Sequence, residues 1–506
     1  MAGNQHQSLL LRAFVPLCLC VKIATLGCGD GPESSQPVAT AKSSKVPASE
    51  APPKSFQPPP ARQAGAAKNT TPAARPLPEK NLSDLAARAV AEEFRLPEIN
   101  DAQAAAAGIR KLTGKHLILY TDLPPAAEVD ELPTVFDQAV PLWCDYFAVP
   151  REKMAEWKLV GYLIRDKERF VGAGLFPPTL PDFQSGFQRE SEFWWYEQPS
   201  PYYRRHLMLH EGTHAFMNRW HGGAGPPWYM EGMAELLGLH SWQDGKLTLG
   251  YAPKSTDEVP YWGRVKSIRD DFEAGRGLTL EEVFAYDSRA HLRVEAYAWS
   301  WAAAMFLDAH PLTQAPFRDL KTNTRDRSRH FSDSLRDKLA EHWPAIREDW
   351  QLCVANIEYG YDAARSAVFR KAEVAPLPAS GAKVTIRADR GWQSAGLKVE
   401  AGKRYRLSAS GRYQIAAEPK VWWCEPGGVT IRYYRGQPLG MLLAAVGDVE
   451  QPPGAMTPLA VPQPIGLGAV IEPTAAGTLY LQINDSPAEL ADNEGSLTVQ
   501  IEAAAK

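Results

Sequence analysis

One helix constrains this chain more than any other feature of its 506 residues: the segment that opens at Ser200-Pro201 and carries His210-Glu211-Gly212-Thr213-His214. Ser is a favoured N-cap, and Pro suits the first helical position, where no backbone donor is needed. Helical spacing then sets His210 and His214 one turn apart on one face, with Glu211 beside the first. That is the H-E-x-x-H arrangement by which a helix offers two imidazoles to a metal ion and a carboxylate to its water. With 11 His and 59 acidic residues in the chain, chance supplies only about 0.03 such motifs. The bland alternative is a pair of buried histidines that satisfy each other or the backbone.

A catalytic zinc takes three protein ligands and keeps a fourth position open, so two histidines leave one ligand to find. After the Gly-rich turn His221-Gly222-Gly223-Ala224-Gly225, Pro226-Pro227 opens a second helical pattern with Glu231 and Glu235 four residues apart on one face. Glu231 lies 17 positions after His214, which suits an antiparallel return helix. Here the chain resembles the gluzincin metallopeptidases, which pair H-E-x-x-H with a Glu on a second helix, often within W-x-x-E-G-x-A. Trp228-Tyr229-Met230-Glu231-Gly232-Met233-Ala234 fits that pattern. The closer likeness is to the minimal peptidase MA-like domains of bacterial proteins, over roughly residues 110 to 350.

The resemblance implies His210, His214 and Glu231 as zinc ligands and Glu211 as the general base toward the attacking water. It implies Glu235 as a carboxylate that orients a ligand imidazole, against the alternative of a solvated helix face. His206, one turn before His210, and His221 remain nearby alternatives. Peptide hydrolysis also needs a donor for the developing oxyanion. The related aminopeptidases use a Tyr about eighty residues past the second His; Tyr297, 83 residues beyond His214, is the match, with an ordinary core aromatic as the alternative. Those aminopeptidases also carry a G-x-M-x-N strand that grips a free N-terminus. It has no counterpart between Gly172 and Tyr196, so the expectation is an endopeptidase, with 192–197 as an edge strand for extended substrate.

Around this centre the chain divides by composition. Leu9-Leu10-Leu11-Arg12 leads into the apolar run Ala13 to Val21, which Lys22 interrupts, and the leader closes at Gly27-Cys28, which reads as an export signal over 1–28 and resembles a bacterial lipoprotein signal with Cys28 as the lipidated residue. Residues 31–80 hold eleven Pro among Ala, Ser and Lys, so 29–80 reads as a tether too poor in apolar surface to fold. From 81 to 370 helices and strands mix: an amphipathic stretch Leu82–Phe94, strands at His116–Thr121, Trp157–Ile164 and Glu192–Tyr196, a helix over Val135–Phe147, and a capping box at Thr279-Leu280-Glu281-Glu282. With 55 Lys+Arg against 59 Asp+Glu there is no basic field for nucleic acid. Cys144, Cys353 and Cys424, the thiols outside the leader, can form at most one bridge within the chain.

From about 378 to 506 short alternating runs separated by Gly and Pro predict a β-sandwich. The segment Gly477–Ser496 resembles the end of the calcium-dependent galactophilic bacterial lectins. That likeness implies Asp485, Asp492 and Asn493 as calcium ligands, with backbone carbonyls near Ile415 and Glu489; residues of ordinary Asx turns are the alternative. The central sugar-binding His of those lectins has no match between Tyr433 and Gly440.

The expected fold class is therefore an α+β zincin-like catalytic domain followed by an all-β, lectin-like sandwich. The expected function is an exported zinc peptidase, periplasmic or cell-surface, acting on a peptide or protein substrate. A surface glycan is a further partner, and the membrane is reached only through Cys28. The competing function is a non-catalytic surface binding protein on the same scaffold.

Overall fold

The computed structural model describes residues 94–290, 293–449 and 455–505, all within one compact unit, Pro76–Lys506. The leader, Cys28, the Pro-rich tether and nearly all of the Leu82–Phe94 stretch lie outside the described residues. No helix among the described residues is long and apolar enough to cross a membrane.

The first part is built on a five-stranded sheet in the order β1 (Arg110–Thr113), β2 (Leu117–Thr121), β3 (Leu159–Ile164), β5 (Glu192–Tyr196), β4 (Gly186–Arg189). β2, β3 and β5 run parallel, and β1 and β4 are antiparallel at the two ends. Every residue of β3 is buried, as a central strand covered on both faces requires. Alternation sends Phe193 and Trp195 into the larger core and Trp194 into the smaller core on the opposite face. The larger core is closed by α1 (Leu132–Phe147), whose Phe136, Val140, Trp143 and Phe147 repeat at helical spacing.

The expected edge strand at 192–197 is not at the edge. β5 pairs with β3 on one side and with β4 on the other, so β4 takes the edge position. The Gly-Phe-Gln-Arg sequence of β4 carries no alternating apolar signal, and its place is set by pairing with β5.

Two helices occupy the interior. α2 (Pro201–His221) starts as expected, with the Ser200 hydroxyl accepting from Tyr203 N at 3.0 Å, and stops at Gly222, whose φ of 72° terminates the helix. α3 (Pro227–Gly238) returns beside it and is backed by α4 (Val294–Ala309). Gly232 sits where a Cβ would lie 2.6 Å from Ser300 O of α4, so the absent side chain permits the close approach. The capping box forms, with Thr279 Oγ1 accepting from Glu282 N and Thr279 N donating to Glu282 Oε2.

The C-terminal part is strand-rich, with no closed barrel. A five-stranded sheet runs 463–464, Leu442–Gly447, Gly477–Ile483, Gln393–Val399, 375–376, and a four-stranded sheet runs Gly468–Ile471, Tyr405–Ser410, Ser496–Ala503, Ala382–Arg387. Leu442, Leu479 and Leu481 of the first share one core with Leu407, Leu497, Val499 and Ile501 of the second. Cys144, Cys353 and Cys424 are buried free thiols.

Alanine is the better helix former by roughly 1 kcal/mol, so at an open site Gly232→Ala would stabilise α3. Against Ser300 O the expected outcome is the reverse, a loss of about 1–3 kcal/mol from overpacking, read as a lower Tm in thermal unfolding.

Candidate metal centre

His206, His210 and His214 follow one another at single-turn intervals along α2, and Glu231 and Glu235 do the same along α3; all five are buried. The antiparallel return brings the second pair against the first three. His210 Nε2 lies 3.1 Å from His214 Nε2 and 3.2 Å from Glu231 Oε2, and His214 Nε2 lies 3.5 Å from Glu231 Oε2. Zinc binds N and O at about 2.0–2.2 Å, which at tetrahedral angles separates its ligand atoms by about 3.3–3.6 Å. The three observed spacings lie on or just below that range. Glu231 Oε2 is buried and, among the described residues, has no hydrogen-bond donor other than the His210 and His214 imidazoles. Two imidazole nitrogens and a carboxylate oxygen are the donor set that zinc favours, so the residues present fit the ion.

Behind this triangle stands Glu235, whose Oε1 is 3.4 Å from His210 Nδ1 and whose Oε2 is 3.4 Å from His206 Nε2. It is anchored by residues the sequence reading did not single out. Arg264 forks onto it, Nη2 to Oε1 at 2.9 Å and Nε to Oε2 at 3.1 Å, and Trp262 Nε1 donates to Oε2 at 3.1 Å. A signal for Arg264 exists in the chain. It opens a helix (Arg264–Glu273), where the dipole disfavours a cation, so its charge has to be answered elsewhere. His206 therefore joins the Glu235 side and not the triangle. His221 packs against Phe147 at the end of α2 and belongs to neither metal-ligand group.

Charge in this interior is set by burial and by pairing. Burial opposes ionisation of Glu231, but hydrogen bonding to His210 and His214 overrides it and holds the carboxyl down at about 2. Burial likewise works against Glu235, and Arg264 and His206 bring it well below the usual range. Glu211 differs: burial raises its pKa, and His210 and His214 only partly pull it back. It faces the edge strand, where a Cβ at Gly186 would overlap its carboxyl. Tyr297, near the start of α4, has its ring 6.1 Å from that of His210, with the Arg264 guanidinium 5.5 Å from its own centroid. Burial raises its phenol pKa, and Glu231, Glu211 and Glu235 raise it further.

In the C-terminal part Asp485 and Asn493 are brought together, Asn493 Nδ2 donating to Asp485 Oδ2 at 2.8 Å, while Asp485 Oδ1 accepts from Ser486 N at 2.7 Å. Asp492 turns toward Ala417, whose N donates to its Oδ2 at 2.9 Å. Asp492 Oδ1 and Asn493 Oδ1 are buried oxygens without a hydrogen-bond partner among the described residues, and burial pushes Asp485 up to about 7. Buried carboxylate and amide oxygens left without donors fit a hard cation.

No protein-family model matches the chain, and no curated protein matches it. Solved structures similar to it include the EclA N-terminal domain, a PllA-like lectin, at 22% identity, covering 24% of this chain and 95% of that one with a TM-score of 0.19. IMPa from Pseudomonas aeruginosa in complex with an O-glycopeptide is 12% identical over 53% of this chain and 26% of that one, TM-score 0.15. The IMPa metallopeptidase in complex with T-antigen is 10% identical over 77% and 37%, TM-score 0.16. The chain thus spans well under half of either IMPa chain, and at TM-scores this low the reading of the site rests on its own geometry.

Asp485 gives a pH prediction with a fixed sign. Its folded pKa of about 7 stands above the ordinary 3.8, so folding takes up a proton and metal-free stability falls as pH rises through that window. Calcium offsets the charge, so the rise in Tm on replacing EGTA with calcium is expected to be larger at about pH 8 than at about pH 5, and Asp485→Asn is expected to abolish it. An equal or absent rise at both pH values counts against the cation site.

Proposed function

We propose that this chain is an exported zinc-dependent peptidase, an endopeptidase, with a zincin-like domain over 81–370 and a lectin-like β-sandwich over 378–506. One observation carries the reading: nitrogen and oxygen atoms of His210, His214 and Glu231 converge from two helices at the spacing of a tetrahedral ion, on the helix that also bears Glu211. When bound, zinc supplies Lewis acidity, lowering the pKa of water and polarising the scissile carbonyl.

The chain's own residues do the rest. Glu211 accepts the proton of the attacking water on a carboxylate oxygen and hands it to the leaving amine nitrogen. Tyr297, kept protonated by burial and by three nearby carboxylates, donates its O–H to the carbonyl oxygen as charge develops there. Glu235 Oε1, 3.4 Å from His210 Nδ1, is placed to receive its N–H, which would fix the tautomer that leaves Nε2 facing Glu231. β4, at the end of the sheet and beside Glu211, supplies the edge on which an extended peptide adds as a further strand.

Outside the site, the leader and tether place the enzyme at the periplasmic or cell-surface side, with Cys28 as its lipid anchor. Calcium at Asp485, Asp492 and Asn493 belongs to the sandwich, whose partner in this reading is a surface glycan.

The test uses the purified full chain with zinc, incubated with plain and O-glycosylated peptides, the products read by mass spectrometry. His210→Ala and His214→Ala are expected to lose zinc. Glu211→Gln is expected to keep it and lose hydrolysis, because the ligands hold the ion whereas the base moves the proton. Full hydrolysis by Glu211→Gln removes the mechanism. Tyr297→Phe is expected to keep zinc and KM while kcat falls roughly 10²-fold, the scale of a lost oxyanion donor; an unchanged kcat returns Tyr297 to the core.

A further inference from the structure

We infer that Arg264 is a positioning residue that locks Glu235 and Tyr297 into one frame, so that the His210 ring and the Tyr297 phenol hold a fixed relation to each other. The catalytic half of this inference rests on the peptidase reading; the metal half does not. Arg264 is 8% exposed and stands at the first residue of its helix, behind Gly263, with no side-chain cap. Nothing in the helix rewards a cation there.

What rewards it is lateral. Two nitrogens of the guanidinium make the two-point fork to Glu235, and its central carbon lies over the Tyr297 ring, 5.5 Å from the centroid. Glu235 Oε1 is shared, 2.9 Å from Arg264 Nη2 and 3.4 Å from His210 Nδ1, so the rotamer of Glu235, and through it the tautomer and tilt of a ligand imidazole, is set by the fork. The same planar group covers the Tyr297 ring, which is 6.1 Å from the His210 ring. One rigid cation thus touches both the support of the metal ligand and the oxyanion donor. Trp262 shares only the first task, since its Nε1 reaches Glu235 Oε2. Lysine cannot replace a planar two-point fork whose cation also lies over an aromatic ring.

The experiment compares Arg264→Lys, Trp262→Phe, Tyr297→Phe and the double variant Arg264→Lys/Tyr297→Phe in the full zinc-loaded chain, with circular dichroism to confirm folding. Zinc release to a chelator is expected to accelerate about 10–100-fold in Arg264→Lys and less in Trp262→Phe, with a changed cobalt(II) absorption spectrum in both, because the His210 support is loosened. In 3-fluorotyrosine-labelled protein, the ¹⁹F resonance identified by its loss in Tyr297→Phe is expected to move in Arg264→Lys and stay in Trp262→Phe. Where hydrolysis is measured, kcat is expected to fall with KM unchanged in Arg264→Lys, and the double variant to lose less than the product of the two single losses, because one of the two tasks of Arg264 runs through Tyr297.

Release and cobalt spectra unchanged in Arg264→Lys overturn the proposal, as does a static Tyr297 resonance or a double variant whose losses multiply. A chain that binds zinc but cleaves no peptide sinks the peptidase reading alone, and the release rates, cobalt spectra and ¹⁹F shifts still decide the role of Arg264. Should Arg264→Lys fail to fold, Arg264→Gln, which keeps a planar donor without the charge, is put through the same release and ¹⁹F measurements.

Discussion

Glu211, Glu231 and Glu235 are three carboxylates taken out of water on the two interior helices, and the first part of the fold is arranged around what that burial costs. An isolated buried carboxylate is expensive enough that it protonates or finds a partner. Two of the three have partners built into the chain: Glu235 has the Arg264 fork and Trp262, and Glu231 has His210 and His214. Glu211 alone is left with desolvation dominant, and its raised pKa is the residue of a cost the fold does not cancel. A divalent ion at the triangle of His210, His214 and Glu231 adds positive charge where the negative charge is concentrated, so metal binding and the stability of this interior draw on the same interactions.

The same burial explains the two close glycine approaches. A charged cluster avoids water only if its neighbours come near, and side chains stand in the way. Gly232 lets α4 lie against the ligand-bearing α3, and Gly186 lets the edge strand pass over the Glu211 carboxyl. Both glycines are in regular elements, where they weaken helix or strand. That local cost is accepted beside the site because packing density there matters more.

Much of this was legible in the chain because local rules and the fold agree. Ser200-Pro201, the Thr279–Glu282 capping box, the 210–214 motif and the Glu231–Glu235 pair each rest on chemistry confined to a few neighbouring residues; the cap and the capping box form as read, and the motif and the Glu pair lie against each other. What escaped depends on partners distant in sequence. β4 is a strand because β5 pairs with it, and Gln393–Val399 is interrupted by Gly396 at φ +76° and a register shift between Ser394 and Lys398, which erases the alternation a strand would announce. Arg264 and Trp262 lie about thirty residues past Glu231, and their value appears only once Glu235 is known to be buried.

The junction of helices and strands shows the same long-range logic. Composition divides the chain into a mixed part and a strand-rich part, and polar contacts run between them. Glu348 and Asp349 are both buried on the helix Trp343–Asn356, and both meet Arg370 at 2.6 Å; Asp349 also meets His310 at 2.8 Å, and Glu348 accepts from Thr457 Oγ1 at 2.7 Å. Farther along, Ser486 Oγ donates to Glu358 at 2.5 Å and Asp362 N to Pro487 O at 3.2 Å, on the loop that holds Asp485. Stripping the strand-rich part away would remove Thr457 from the buried Glu348 and Ser486 from the half-buried Glu358, and a buried polar group that loses its partner carries the full desolvation penalty. The strand-rich part is therefore held by the polar interior of the helical part, and the loop of Asp485, Asp492 and Asn493 sits where both parts bear on it.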